Sequence, residues 1–191
     1  MQDLPKYTAE IFELLSKGRF ISSNASSDHN RRLYSILEDD ANFDLLAEYF
    51  EKINFILEKG NGYFYFSREE TKVSLERKLE TAFKWIDILD FFKTFDHSFG
   101  SGYRFSIADI TVRLNTDADL KSKLSALKRI TKKTKQNEAV TRLVEMLIKD
   151  HFVELQDEIT GLYKVLSSFE YLEELVTTLH IPEDIENEIP Q

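Results

Sequence analysis

The sequence predicts a mainly α protein with small β-wings, an α+β chain of tandem winged-helix domains joined by a long helix. Three observations predict it. Apolar residues recur at three- and four-residue spacing through most of the chain, the period of helices that bury one face. Two short ribbons interrupt that pattern, one turning at Lys59-Gly60-Asn61-Gly62 and one at Gln156-Asp157-Glu158-Ile159-Thr160-Gly161. The order helix, short strand, helices, two-stranded ribbon occurs twice.

The first helix runs from about Thr8, with Ile11, Phe12, Leu14 and Leu15 on one broad face, and stops near Gly18. Residues 19–22 read as a short strand and 23–30 as a polar loop. A second helix covers about Arg31–Asp39 through Leu33, Ile36 and Leu37, and a third about Phe43–Ile53 through Leu45, Leu46, Tyr49 and Phe50. In the ribbon that follows, Gly60 and Gly62 supply the unusual backbone angles of a tight turn. Ser67-Arg68-Glu69-Glu70 is a capping box that opens the long helix, which reaches about Phe95. One stripe of that helix is Leu75, Leu79, Ala82, Phe83, Ile86 and Leu89; a second is Trp85, Ile88, Phe92 and Phe95. A helix apolar on two faces has to be covered twice, by the rest of the chain or by another chain.

Past a loop with two glycines, Ser106 caps a helix through Ile107, Ile110, Val112 and Leu114. Asn115-Thr116-Asp117 starts another, carried by Leu120, Leu124, Leu127 and Ile130. A longer helix spans about Glu138–Lys149. Residues 151–155 and 162–166 form the second ribbon, and a last helix covers about Ser168–Leu179. The expected organisation is an N-terminal winged-helix domain over 1–67, a connecting helix over 68–97, a C-terminal winged-helix domain over 98–181 and an acidic tail over 182–191.

The chain has 191 residues, 42% of them apolar and 31% charged, a globular balance, and no cysteine, which removes disulfides and thiolate chemistry. No apolar run has the ~20 residues of a membrane span, and residues 1–6 lack a secretory signature; the expectation is a soluble cytoplasmic, nucleoid-associated protein. Net charge is −9, which disfavours wrapping nucleic acid over a large surface. Charge is nevertheless unevenly placed. Residues 121–135 hold seven Lys or Arg and no acid, whereas 169–191 hold seven Asp or Glu and no Lys or Arg.

Catalytic signatures are missing. His29, His97, His151 and His180 fall at no metal-ligand spacing, and neither a phosphate-binding glycine loop nor a nucleophile elbow occurs. No cofactor, metal or catalytic residue is expected, although carboxylates alone could still build an enzyme. For the basic run, two readings stand side by side. Lys121, Lys123, Lys128, Arg129, Lys132, Lys133 and Lys135 decorate the solvated side of a helix, or they grip DNA phosphates. In the position of a groove-reading helix, residues 43–53 carry Asp44, Glu48 and Glu51 against Lys52, so sequence-specific readout there is disfavoured. The first ribbon has Tyr63 and Tyr65 on one side and Phe64 and Phe66 on the other. Both sides are therefore made for burial. One belongs to its own unit's core; the other suits a protein partner, or is covered by the long helix.

The stretches 14–22, 46–67 and 162–176, with Phe169-Tyr171-Leu172-Glu173-Glu174-Leu175 following the second ribbon, resemble the MukE-like subunits of bacterial SMC condensin complexes, the kite proteins, and among them the MksE type. The resemblance covers most of the chain. It implies a tandem winged helix that forms a homodimer and binds the kleisin subunit, MukF- or MksF-like. Through the kleisin it joins a MukB- or MksB-like SMC ATPase, in chromosome organisation and segregation or in plasmid defence. It implies no enzyme, since the ATPase chemistry lies in the partner, and a weak nonspecific DNA contact for which the basic run is the candidate. Candidate interface residues are Tyr63, Tyr65, Trp85, Ile88, Phe92, Phe95, Phe169 and Tyr171. The alternative is a free-standing winged-helix DNA-binding transcriptional regulator.

Overall fold

The computed structural model describes residues 4–67 and 72–178, with backbone alone for 72–80 and 178. The fold is mixed α+β, mainly helical, with two small antiparallel sheets. The capping box foreseen at 67–70 and the acidic tail fall outside the described residues.

In the N-terminal half, α1 (Thr8–Ser16), β1 (Ile21–Ser22), α2 (Asp28–Glu38), α3 (Asp40–Glu51), β2 (Ile56–Gly60) and β3 (Tyr63–Ser67) follow the expected order. Helices α2 and α3 each begin three residues before the apolar pattern suggests, because polar side chains cap them. The Ser27 hydroxyl accepts from the Asn30 amide and the Asp39 carboxylate from the Asn42 amide, relieving amides that a first turn leaves unpaired. Strand β3 lies between β1 and β2, with Gly60 opposite Tyr63. Ile11, Leu15, Leu33, Leu37, Leu46, Phe50 and Phe64 form the core, each burial contributing roughly 1.5–3 kcal/mol.

The second half repeats the plan at greater length: α4 (Lys72–Phe95), β4 (Arg104–Phe105), α5 (Ile107–Thr116), α6 (Ala118–Ala126), α7 (Lys128–Thr131), α8 (Gln136–Lys149), β5 (Val153–Asp157), β6 (Leu162–Val165) and α9 (Phe169–Thr178). Its sheet order, β4-β6-β5, again places the last strand in the middle. Ser106 and Asp109 close a reciprocal capping box on α5. The single helix expected over 115–130 is divided. Leu127, at φ −75° and ψ −2°, ends α6 and opens α7, and Lys132 ends α7 in the left-handed region at φ 55°.

Of the two covers expected for the faces of α4, the rest of the chain or another chain, the chain itself supplies the one seen. Trp85, Ile88, Leu89, Phe91 and Phe92 are all buried within the chain's own core, between α6 on one side and α9 on the other. Phe83, placed by periodicity in an apolar stripe, is instead 53% exposed. Within the chain, Tyr63 and Tyr65 pack against aromatic residues other than those of α4. Their face of the ribbon meets Tyr171 of α9 and Phe20, while Phe64 turns into the N-terminal core.

A polar seam fastens the halves beside that aromatic contact. The Asn24 amide donates to the Val165 carbonyl (3.1 Å) while its carbonyl oxygen accepts from the Ser167 amide (2.8 Å). Lys164, 8% exposed, pairs with Glu154 at 2.9 Å and donates to the Ser26 hydroxyl at 2.8 Å. The Tyr63 hydroxyl donates to Glu174, and the Asn61 amide donates to Glu170. A buried ammonium is tolerated because its carboxylate and hydroxyl partners are both in place. No described helix is long and apolar enough to cross a membrane.

Candidate functional site

Two concave features hold the residues of interest. The first is an aromatic groove of about 370 Å³ where β1, β3, α4 and α9 converge, lined by Phe20, Tyr65, Trp85, Phe152, Tyr171 and Leu172. Phe20 is its hub, with ring centroids 5.8 Å from Tyr65, 5.4 Å from Phe152 and 5.2 Å from Tyr171. Arg19 and Asp150 are the charged members among its described lining residues. The Tyr65 hydroxyl is held protonated above its ordinary range by burial and then by Glu58, so it meets the groove as a neutral phenol.

Of the eight interface candidates, Tyr65, Trp85 and Tyr171 line this groove together. Tyr65 and Tyr171 are half-buried and Trp85 is only 3% exposed. Tyr63, Ile88, Phe92 and Phe169 are interior residues, and Phe95 is half-buried against the same core. Helix-period stripes cannot distinguish a partner from the chain's own second half, and here the second half supplies the cover.

The second feature is a cavity of about 560 Å³ between α4, α7 and α8. Arg129 and Lys132 of the basic run reach it, joined by Lys84 from α4 and by Arg142 and Lys149 from α8. Asp87 and Asp150 are the only carboxylates among its described lining residues. Burial lowers the Lys84 ammonium below the usual lysine range, and Lys149 and Arg142 add to that repulsion against the opposing pull of Asp150. The rest of the run is dispersed. Lys123 is paired with Asp90 at 2.8 Å, and Lys133 and Lys135 face Glu138 at 3.9 and 3.3 Å. Lys121 and Lys128 are exposed outside the cavity. A linear run thus becomes two cavity cations, three ion-paired lysines and two solvated ones. Lys84, Arg142 and Lys149 escaped the sequence reading; the seven-residue step from Arg142 to Lys149 on one helix face was the available signal.

Among the described residues no cluster of three or more His, Asp or Glu is placed to hold a metal. The half-buried His151 imidazole is held below its ordinary range by burial and then by Arg19, which keeps it neutral.

No curated protein matches the chain. The model of one protein family does match, from before α1 to the body of α9, taking in both halves and the seam between them. That family is described as condensin complex protein MksE, the match spans residues 6–176, and the chain belongs to it.

Proposed function

We propose that this member of the MksE family is a non-enzymatic adaptor of its condensin complex. It forms a homodimer and receives an extended kleisin segment in the aromatic groove. Through the kleisin it joins an SMC ATPase of the MukB type, in chromosome organisation and segregation or in plasmid defence. The observation that carries this reading is the family match across residues 6–176, which takes in the groove and the elements that build it. The groove's chemistry supports it. Apolar and aromatic walls with few charges are what the centre of a protein interface presents, and extended peptides dock where pockets accept alternate side chains.

Each half, in this reading, is a winged helix: residues 1–67 and 98–181, joined by the helix over 68–97 and followed by the tail over 182–191. The repeated element order and the central third strand of each sheet support that. Because the halves share a core contact through Phe20 and Tyr171, they act as one body that presents the groove rather than as two independent readers of DNA. DNA contact is then weak and nonspecific, made through the exposed lysines of 121–135. Duplex binding should fall steeply as salt rises and disappear when Lys128, Arg129, Lys132 and Lys133 are changed to Glu.

The adaptor reading is tested by mixing the chain with the kleisin of an MksE-type complex from the same genome and following the mixture by light scattering. A dimeric chain that enters one stable complex with the kleisin is expected. A chain that stays separate from the kleisin at micromolar concentration, yet binds one duplex sequence tightly near physiological salt, would instead make it a free-standing regulator.

A further inference from the structure

The cavity between α4, α7 and α8 gathers an excess of positive charge. Among its described lining residues, five cationic side chains stand against two carboxylates. Among the described residues no carboxylate lies at ion-pair distance from Lys84, Arg129, Lys132 or Lys149, while Arg142 is paired only with Glu145, at 3.1 Å. Elsewhere this acidic chain, at net −9, pairs many of its lysines, including Lys17, Lys52, Lys93, Lys123 and Lys164. Like charges brought together in a concavity repel one another and are stabilised by an anion. The Lys84 ammonium is lowered first by burial, with Lys149 and Arg142 adding a smaller repulsion against the pull of Asp150. Two of the cations are guanidinium groups, whose planar forks match the oxygen geometry of phosphate. Beside them Phe83 offers a half-exposed ring at the cavity wall, a flat apolar surface set next to cations. A volume of about 560 Å³ falls within the range of small-molecule sites.

We propose that this cavity binds a small phosphorylated anion of nucleotide size, its phosphates held by Arg129, Lys132, Arg142 and Lys149 and its ring resting on Phe83. The site goes beyond the adaptor role, which needs no small ligand, and lies apart from the aromatic groove, sharing with it only Asp150 among the described lining residues.

Calorimetric titration of the full chain with ATP and with inorganic pyrophosphate, both with a chelator present, tests it. One saturable site per chain is expected, with Lys149→Gln and Arg129→Gln each weakening both ligands about tenfold. Phe83→Ala should weaken ATP and leave pyrophosphate unchanged, and the remote Lys52→Gln should alter neither. Circular dichroism of each variant separates lost binding from lost fold, and these exposed positions should keep the wild-type spectrum. Absence of saturable ATP binding up to about 5 mM overturns the proposal, as does an equal loss in Lys52→Gln. So does a result in which the cavity variants weaken binding of a short DNA duplex while ATP neither binds nor competes. Kleisin binding is untouched by any of these outcomes, so failure here leaves the adaptor reading standing.

Discussion

At Gly60 there is room for a hydrogen and nothing larger. A Cβ built there would lie 2.0 Å from the Tyr63 ring, its cross-strand neighbour, so the aromatic ring lies directly on the glycine. Gly62 is needed first for its left-handed φ of 79° in the ribbon turn, and a Cβ there would also lie 2.9 Å from the Ser23 hydroxyl. The sequence marks both as turn glycines; only the structure reveals that Gly60 serves space and Gly62 both angle and space. Gly60→Ala should therefore cost about 1–3 kcal/mol in chemical denaturation, the scale of overpacking a buried contact. His151 supplies a second prediction at this scale. Burial and the nearby Arg19 hold its folded-state pKa below the ordinary 6.5. As pH falls the unfolded chain takes up this proton first, so the residue's share of stability is present in full above that value. It declines below it and levels off once pH passes the depressed folded-state pKa. Denaturation midpoints between pH 7.5 and 5.5 should thus fall more steeply in the wild type than in His151→Asn, a substitution that tolerates the local φ of 60°.

Helix α4 decides how the halves combine. Its periodicity made the helix and its two apolar faces legible at once, because every third or fourth residue from Trp85 to Phe95 is large and apolar. What covers those faces was not legible, since α6 and α9 lie 30 to 80 positions away in sequence and periodicity carries no such address. The break between α6 and α7 was hidden for a related reason. Leu124 before it and Leu127 at it pack into the core, with Ile130 beyond it partly buried, so the apolar spacing continues while the backbone turns. Trp85→Ala should lose about 3–5 kcal/mol, as for other large buried aromatics. Trp85→Asp combined with Phe92→Asp should leave no folded monomer, measured by loss of near-ultraviolet dichroism. At the seam, Asn24→Ala removes one acceptor and one donor at once and should cost about 1–3 kcal/mol, chiefly by leaving the Ser167 amide unpaired, since the Val165 carbonyl still accepts from the Gly102 amide.

Across the whole molecule the aromatic surplus visible in the composition is used to join one half to the other, leaving a groove along the joint. Among the described residues that groove draws on 18–20, 65–67, 81–85, 150–152 and 171–175, five separate stretches, so no local motif could announce it. The basic cavity was half legible: the run contributed Arg129 and Lys132, while Lys84, Arg142 and Lys149 came from helices whose overall charge is close to balance. If the groove receives the kleisin, association should depend on its half-buried tyrosines more than on its charged members. Tyr65→Lys with Tyr171→Lys is expected to weaken kleisin binding at least tenfold, the scale for truncating central aromatic anchors, with Asp150→Asn costing far less. The most direct measurement is hydrogen exchange of the chain with and without its kleisin. The adaptor account predicts slowed exchange concentrated at 18–20, 65–67 and 171–175; slowing confined to α2, α5 or the second ribbon, with those three stretches unchanged, would contradict it.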